Sequence, residues 1–231
     1  MKQKLTWEQL EAIRRLDTCT AANAIETFGL RLRNEGFSDS SVRCTFPRFA
    51  PMLGYAATVK IRCSGPPPEG HSYLDRTDWW NYILTLPAPR VVVIQDVDEV
   101  PGRGAFLGEV HANILLALDC VGAVTNGAVR DLSAVESTGF HFFAGGVSVS
   151  HSYAHIVGID GPVEVGGLKV QPGDLLHGDC HGVLSIPNEI AAEIPALAAN
   201  IIEKERRLIA LCRSSDFSLA KLRRAVRQVI E

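Results

Sequence analysis

The chain has 231 residues, of which 46% are hydrophobic and 21% charged, and its formal net charge at pH 7 is −3. This composition is that of a globular protein and excludes an extended disordered chain, while the length fits one large α/β domain. The slightly negative charge provides no general basic field for nucleic acid. No apolar run reaches the length of a membrane span and the N-terminus has no signal-peptide pattern, so we expect a cytoplasmic protein.

The first third of the chain is predicted to contain two helices and a strand. Apolar residues at helical spacing predict both helices before residue 30, with Thr18 or Thr20 as the cap between them and Gly29 at the end of the second. β-Branched and aromatic residues from Leu53 to Cys63 predict a strand. The stretch 64–70, rich in proline and glycine, is predicted to be a loop.

A strand–helix–strand unit is predicted in the middle of the chain. Arg90–Asp96 is predicted to be a buried strand because its apolar residues are nearly continuous. A helix from about Leu107 to Cys120 and a short strand at Gly122–Thr125 follow it. The pattern then predicts a helix at Leu132–Thr138 and a strand at Phe140–Ala144.

The pattern after residue 150 changes to hairpins and then to helices. Two glycines, 166 and 167, predict a tight turn between Val163–Val165 and Leu168–Val170. Strands are expected at Leu175–His177 and Val183–Ile186, and Pro195 is expected to break or kink the first of the helices that follow. We therefore predict one domain, 1–231, with a mixed sheet flanked by helices. Its parts are a helical N-terminus at about 1–30, an α/β core at about 50–187 and C-terminal helices at about 188–231.

Two short motifs suggest a chemistry. The first is Gly108–His111, and the second ends in Arg130 and Asp131, with twenty residues between Glu109 and Arg130. A guanidinium beside a carboxylate on a glycine-bearing turn can hold an anionic substrate and a hard divalent cation. The plainer alternative is a surface ion pair in which Asp131 caps the helix that follows it.

Other motifs are weaker. The glycines at 102, 104 and 108 do not have the spacing of a dinucleotide-binding loop. The pairs His151/His155 and His177/His181 have a spacing seen in metal sites, but they lie in predicted loops and strands, so we expect satisfied or exposed histidines. Asp179 and His181 remain secondary pocket candidates.

Asp96, Asp98 and the cysteines are predicted to have structural rather than catalytic roles. Asp96 and Asp98 follow a predicted strand and are assigned to turn chemistry. The six cysteines include no C-x-x-C pair and no Cys/His spacing typical of zinc, so we expect reduced, mostly packed thiols.

Four motifs, in this order, resemble those of the RraA-like family, and the likeness runs from about residue 16 to residue 207. That family includes class II pyruvate aldolases acting on 4-hydroxy-4-methyl-2-oxoglutarate and the regulator of ribonuclease E activity. The motifs are Leu16–Thr20, Gly108–Glu109 with Arg130–Asp131, Gly161–Gly167 and Gly178–Val183.

The resemblance implies a fold and an assembly. The family fold is similar to a swivelling β/β/α domain assembled as a ring-shaped homotrimer, or as a dimer of such trimers, with active sites between neighbouring subunits. By the same likeness, Asp131 would ligate Mg²⁺ or Mn²⁺, and Glu109 would lie near the water shell of the metal. Glu205 from a neighbouring subunit, or with less support Glu203, would complete the site through water.

The resemblance also implies how substrate is bound. Arg130 would bind the carboxylate of a pyruvate unit, and the amides of Val110 and His111, after Gly108 at a helix start, would receive substrate oxygens. The implied enzyme cleaves a 4-hydroxy-2-oxo acid to pyruvate through a metal-stabilised enolate. It also decarboxylates oxaloacetate, because that reaction leaves the same enolate. Asp131 favours this enzyme, since the family's regulators are described as lacking an acid after the arginine.

Two alternatives stay open. One is an RraA-type protein-binding regulator of ribonuclease E without catalysis. The other is a family scaffold that serves a different small acid, through a pocket remodelled by Trp79, Trp80 and His181. Two features depart from the family's aldolases: Glu109 stands where aspartate is frequent, and the segment 64–89 has no counterpart that we can place.

Overall fold

The computed structural model describes residues 5–67 and 76–230, and its first two helices pack at one end of a large sheet. A capping box between Thr6 and Gln9 starts α1. The predicted cap of the second helix is wrong, because Thr18 and Thr20 both lie inside α2. Asp17 is the cap, and its carboxylate accepts the Thr20 N–H at 2.8 Å. The helices are α1 Trp7–Arg14, α2 Thr18–Glu26, α3 Arg76–Thr85, α4 Glu109–Ala117, α5 Leu132–Thr138, α6 Ile194–Arg213 and α7 Leu219–Ile230.

The described residues form one large mixed sheet and a separate hairpin. The strands are β1 Arg43–Cys44, β2 Met52–Arg62, β3 Arg90–Asp96, β4 Ala105–Leu107, β5 Cys120–Val129, β6 His141–Val147, β7 His155–Ile159, β8 Val163–Val165, β9 Leu168–Val170, β10 Leu175–Asp179 and β11 Gly182–Ile186. The sheet order is β1-β6-β5-β3-β2-β10-β11, with β4 beside β5 and β7 beside β2, while β8 and β9 pair apart. β2, β3, β5 and β6 are parallel, and β10 is antiparallel to β2. The predicted mixed sheet flanked by helices is confirmed.

Most element predictions hold, with shifts where glycine or proline sets a boundary. The strand Arg90–Asp96 and the helix Leu132–Thr138 are found as predicted. The helix predicted from Leu107 starts later, because Leu107 ends β4 and Gly108 caps α4. Pro195 lies in the first turn of α6 and neither breaks nor kinks it, since a proline there gives up no helical hydrogen bond.

The loop predicted after Cys63 is only partly described. Residues 64–67 are irregular, and 68–75 lie outside the described residues. The chain then forms α3, a helix that the sequence patterns did not indicate, and β7 is another unpredicted element. None of the helices in the described segments is both long and apolar enough to cross a bilayer.

The sheet separates hydrophobic clusters on its two faces. Val92 and Ile94 of β3 pack into one cluster, whereas Val91 and Val93 pack into another, as the two-residue period of a strand requires. A third cluster joins α1, α2 and α6 to the end of the sheet formed by β10 and β11. Apolar side chains therefore pack on both faces of the sheet.

Candidate active site at the start of the fourth helix

Two parallel strands bring the separated motifs together at one end of the sheet. β4 pairs with β5 so that Leu107 lies opposite Val129, and the Arg130 N–H donates to the Leu107 carbonyl at 3.0 Å. Gly108 follows β4, while Arg130 and Asp131 follow β5. Because the two strands run in the same direction, their carboxyl ends coincide, and this is where ligands bind in α/β sheets.

Asp131 connects β5 to α5 in the left-handed backbone conformation, with φ 56°. Its Oδ2 accepts the Glu109 N–H at 3.2 Å, and its Oδ1 accepts the Arg130 Nε–H at 3.2 Å. These bonds, the Glu109 amide first and then Arg130, hold the pKa of the Asp131 carboxyl below its usual value. The carboxylate is therefore ionised at neutral pH.

The alternative prediction for Asp131, a surface ion pair combined with a helix cap, is correct for the ion pair and wrong for the cap. The ion pair with Arg130 exists, and the side chains of Asp131 and Arg130 are 36% and 30% exposed. However, Asp131 makes no capping hydrogen bond to α5. Its carboxylate instead binds the first N–H of α4, which ties the two motifs to each other.

Gly108 makes this arrangement sterically possible. A Cβ at residue 108 would collide with Oδ2 of Asp131 and would lie 3.0 Å from Cγ of Arg130. Gly108 is also the N-cap of α4 and has extended backbone angles, so close approach rather than a left-handed conformation requires a glycine here.

The start of α4 offers unpaired amide donors. The N–H of Glu109 is used by Asp131, whereas the N–H groups of Val110 and His111 have no acceptor within the described chain. Val110 is 70% exposed, so this face of the helix start is open to solvent. Together with the partial positive charge of a helix N-terminus, these donors suit an anionic oxygen.

The side chain of His111 points away from solvent. It is 4% exposed and stacks on Phe106 with ring centroids 5.3 Å apart. Its Nε2 has no partner in the described structure. Burial first, and then the charges of Arg76 and His151, lower the pKa of His111 to about 4. The predicted contact of His111 with substrate would therefore be made by its backbone N–H and not by its ring.

The predicted acids besides Asp131 are exposed. Glu109 projects from the first turn of α4, and Glu205 lies on the exposed part of α6. Glu203 is bound by Arg207 at 2.9 Å within the same helix. This contact leaves Glu205 the better candidate of the two for reaching a neighbouring subunit, and that role stays a prediction.

The idea of a ligand pocket built on Trp79 is wrong. Trp79 is fully buried and packs on Phe106 with ring centroids 5.5 Å apart, so its ring is unavailable for stacking on a ligand.

A cavity of about 430 Å³ lies near the other end of the strands, lined in part by Trp7, Arg14 and His141. An open groove of about 690 Å³ is lined in part by residues of β5 and β8.

The histidines that share a metal-like spacing have separate environments. Nδ1 of His151 lies 2.9 Å from the Ala105 carbonyl, and that of His155 lies 2.6 Å from the Tyr153 carbonyl. His177 is fully buried, with Nδ1 3.0 Å from the Thr18 hydroxyl, whereas His181 is exposed. The expectation of satisfied or exposed histidines is confirmed, except that Nε2 of the buried His177 has no partner within the described residues.

The cysteine prediction is only partly correct. Cys63 and Cys120 are buried, but Cys19, Cys180 and Cys212 are exposed. In the described residues, two groups of three possible metal ligands lie outside the Asp131 region: Asp179 with Cys180 and His181, and Cys63 with Asp96 and Asp98.

The group around Cys63 holds turns together. Asp98 accepts the N–H groups of Cys63 and Ser64, both at 2.7 Å. Asp96 accepts the N–H groups of Asp98 and Gly102 at 3.1 and 2.8 Å. The predicted turn chemistry of Asp96 and Asp98 is therefore confirmed.

Solved structures with low sequence identity share this fold. The structure of an uncharacterized protein from Pseudomonas syringae pv. tomato superposes with a TM-score of 0.75 at 22% identity, covering 96% of both chains. Streptomyces coelicolor RraAS2, described as an unusual member of the RNase ES inhibitor RraA protein family, has a TM-score of 0.69 at 23% identity, covering 88% of this chain and 97% of that one.

Curated relatives match parts of the chain. Legionella pneumophila DlpA is 28% identical over 116 residues, which are 49% of this chain but only 18% of DlpA. The uncharacterized protein MJ0644 of Methanocaldococcus jannaschii is 33% identical over 68% of this chain and 71% of its own length. A Halalkalibacterium halodurans protein provisionally named 4-hydroxy-4-methyl-2-oxoglutarate aldolase is 33% identical over 40% of this chain and 46% of its own.

The family model described as RraA-like, Aldolase/RraA, matches residues 18–185. This range contains both motifs that meet at α4, as well as the whole of the central sheet apart from the last residue of β11. The chain belongs to the RraA-like family.

Proposed function

We propose that this protein is a divalent-metal-dependent carbon–carbon lyase that releases pyruvate from a 4-hydroxy-2-oxo acid and decarboxylates oxaloacetate. The observation that carries the proposal is the meeting of Arg130, ionised Asp131 and two unpaired amides at the start of α4. One group of each kind needed for a 2-oxo acid is present: a cation for its carboxylate, an anion for a metal, and donors for a developing negative oxygen.

The residues present fit a hard divalent cation. Asp131 supplies an ionised carboxylate that is 36% exposed, so there is room beside it for a cation that keeps most of its waters, as Mg²⁺ does. A Mg²⁺ or Mn²⁺ ion bound there would draw electrons from the keto group of the substrate. Glu109, and Glu205 of the partner subunit, would reach such an ion through water.

The protein groups have separable roles in the proposed reaction. Arg130 binds and orients the substrate carboxylate. The amides of Val110 and His111 donate to the oxygen that becomes negative when the carbon–carbon bond breaks. Glu109, exposed at the same helix start, accepts the proton of the substrate hydroxyl through a water molecule. No lysine Schiff base is needed in this scheme.

The family relationship supports an enzyme without deciding the reaction. The aldolase name belongs to a relative that matches 40% of this chain. RraAS2 is described as belonging to a family of ribonuclease inhibitors, and this similarity makes a protein-binding regulator of ribonuclease E the second candidate. Asp131 favours the lyase, because its ionised and partly exposed carboxylate beside Arg130 offers a ligand for a divalent cation.

The test is pyruvate release from oxaloacetate and from 4-hydroxy-4-methyl-2-oxoglutarate, measured with Mg²⁺, with Mn²⁺ and after chelation. We expect turnover of both substrates with either metal and its loss on chelation, with recovery when metal is returned. Turnover that survives chelation contradicts the metal-dependent scheme. Capture of ribonuclease E by a preparation that turns over neither substrate establishes the regulator instead.

The proposed sharing of sites between subunits predicts complementation. Glu205→Gln and Asp131→Asn should each inactivate the homo-oligomer, but co-expressed chains should recover up to about a quarter of wild-type activity, since that share of interfaces contains both native acids. Separately purified variants provide the baseline. If Glu205→Gln is fully active, or if the mixed oligomer is no more active than its parents, Glu205 does not act across the interface.

A further inference from the structure

Three kinds of metal ligand converge at the turn between β10 and β11. Ligand atoms of Asp179, Cys180 and His181 all lie within 4.8 Å of one another. Sγ of Cys180 is 3.5 Å from Nδ1 of His181, and Oδ1 of Asp179 is 3.0 Å from the same nitrogen. A thiol, an imidazole and a carboxylate thus border one small volume.

Buried hydrogen bonds hold α2 against this turn. The Thr18 N–H donates to Oδ2 of Asp179 at 2.9 Å, and the Thr18 hydroxyl lies 3.0 Å from Nδ1 of His177. Thr18, His177 and Asp179 are all buried. These bonds hold the turn that carries Cys180 and His181 in place against α2.

The spacing suits a tetrahedral ion of the zinc class. With metal–sulfur and metal–nitrogen bonds of about 2.3 and 2.0–2.1 Å, a tetrahedral ion separates its sulfur and nitrogen ligands by roughly 3.5 Å. The Cys180–His181 separation of 3.5 Å matches this edge. Thiolate and imidazole ligands select zinc over magnesium. A cation bound here would be ligated by the thiolate form of Cys180, whose proton leaves when the metal binds.

A hydrogen-bonded turn explains only part of the cluster. Asp179 accepts the His181 N–H at 2.9 Å as well as approaching its ring, and this accounts for the conformation of the turn. It does not account for a thiol, an imidazole and a carboxylate that all border one small volume. We propose that Asp179, Cys180 and His181, completed by water, bind one thiophilic divalent cation of the zinc class, separate from the site at Asp131.

Cobalt is the probe that tests the proposal. Co²⁺ is titrated into the metal-free, reduced full-length protein, and thiolate-to-cobalt charge-transfer absorption is followed. We expect this absorption to saturate at one ion per chain, to be displaced by Zn²⁺ and to withstand excess Mg²⁺. Absence of the absorption, or displacement by Mg²⁺, overturns the proposal.

Variants locate the ion. Cys180→Ser and His181→Asn should each weaken cobalt binding at least tenfold. Cys212→Ser, which removes an exposed thiol on α6, is the matched control and should bind as wild type. Asp131→Asn should also keep the absorption. Unchanged binding in Cys180→Ser, or loss in Asp131→Asn, contradicts the assignment. Circular dichroism confirms that each variant is folded.

Discussion

Asp131→Asn is expected to lower kcat/KM for pyruvate release about a thousandfold, or about 4 kcal/mol of transition-state stabilisation. The asparagine oxygen can still accept the Glu109 N–H, and asparagine tolerates the left-handed backbone of residue 131. The fold should therefore persist, while the negative charge that would hold a cation beside Arg130 is lost. Steady-state kinetics with saturating Mg²⁺, together with a thermal melt, measure both parts of this expectation.

Asp160→Asn is the matched control for that substitution. Asp160 is exposed, lies between β7 and β8, and has φ 55°, nearly the value of 56° at Asp131. The control therefore makes the same chemical change on the same backbone conformation outside the proposed site. Equal losses in the two variants, or full activity of Asp131→Asn, contradict the role given to Asp131.

Acid should destabilise the fold before its carboxylates titrate. Burial is the main cause that lowers the pKa of both His111 and His141 to about 4, and it also lowers the pKa of His177. Unfolding returns each group to a pKa of about 6.5, so between about pH 6.5 and 4 the unfolded chain binds more protons. The free energy of unfolding must therefore fall as pH falls, by about 2 kcal/mol for the buried His111 between about pH 6.5 and 5.

Urea denaturation at pH 7, 6 and 5 measures this slope. His111→Phe, which keeps a ring against Phe106 and removes the titrating nitrogen, should flatten the curve by the contribution of that residue. His141→Phe should also flatten it, because burial lowers the pKa of His141 to about 4 as well. If a variant keeps the wild-type slope, or if the wild-type denaturation midpoint does not depend on pH in this range, the buried histidines are not the cause of the acid destabilisation.

Local patterns were sufficient to predict much of the fold, whereas the approach of the two motifs was implied by the family resemblance. Arg90–Asp96 has an apolar run that only a buried strand accommodates, and Gly139 ends α5 where the helical pattern stops. Glu109 and Arg130–Asp131 meet because parallel pairing of β4 with β5 aligns their carboxyl ends. Local patterns could not reveal that Asp131 binds the start of α4 rather than that of α5, since that choice depends on which helix start lies closer in space.

The group formed by Asp179, Cys180 and His181 shows why other features escaped prediction. Only the tight turn between β10 and β11 brings its ligand atoms within 4.8 Å of one another. Motif spacing for zinc describes ligands that are near in sequence. The local signal was Cys180 directly beside His181, which matches none of those spacings. Likewise, α3 follows residues 68–75, and its aromatic residues gave no clear helical period.

The docking of α2 onto β10 and α6 has a consequence for synthesis of the chain. Ile13 and Ile25 share their cluster with Leu175, Leu184 and Ile194, so the first helices lack most of their apolar partners until the last third has left the ribosome. During that interval the apolar side chains of α1 and α2 remain exposed while the sheet forms. Chaperones that bind exposed apolar segments are therefore expected to bind α1 and α2.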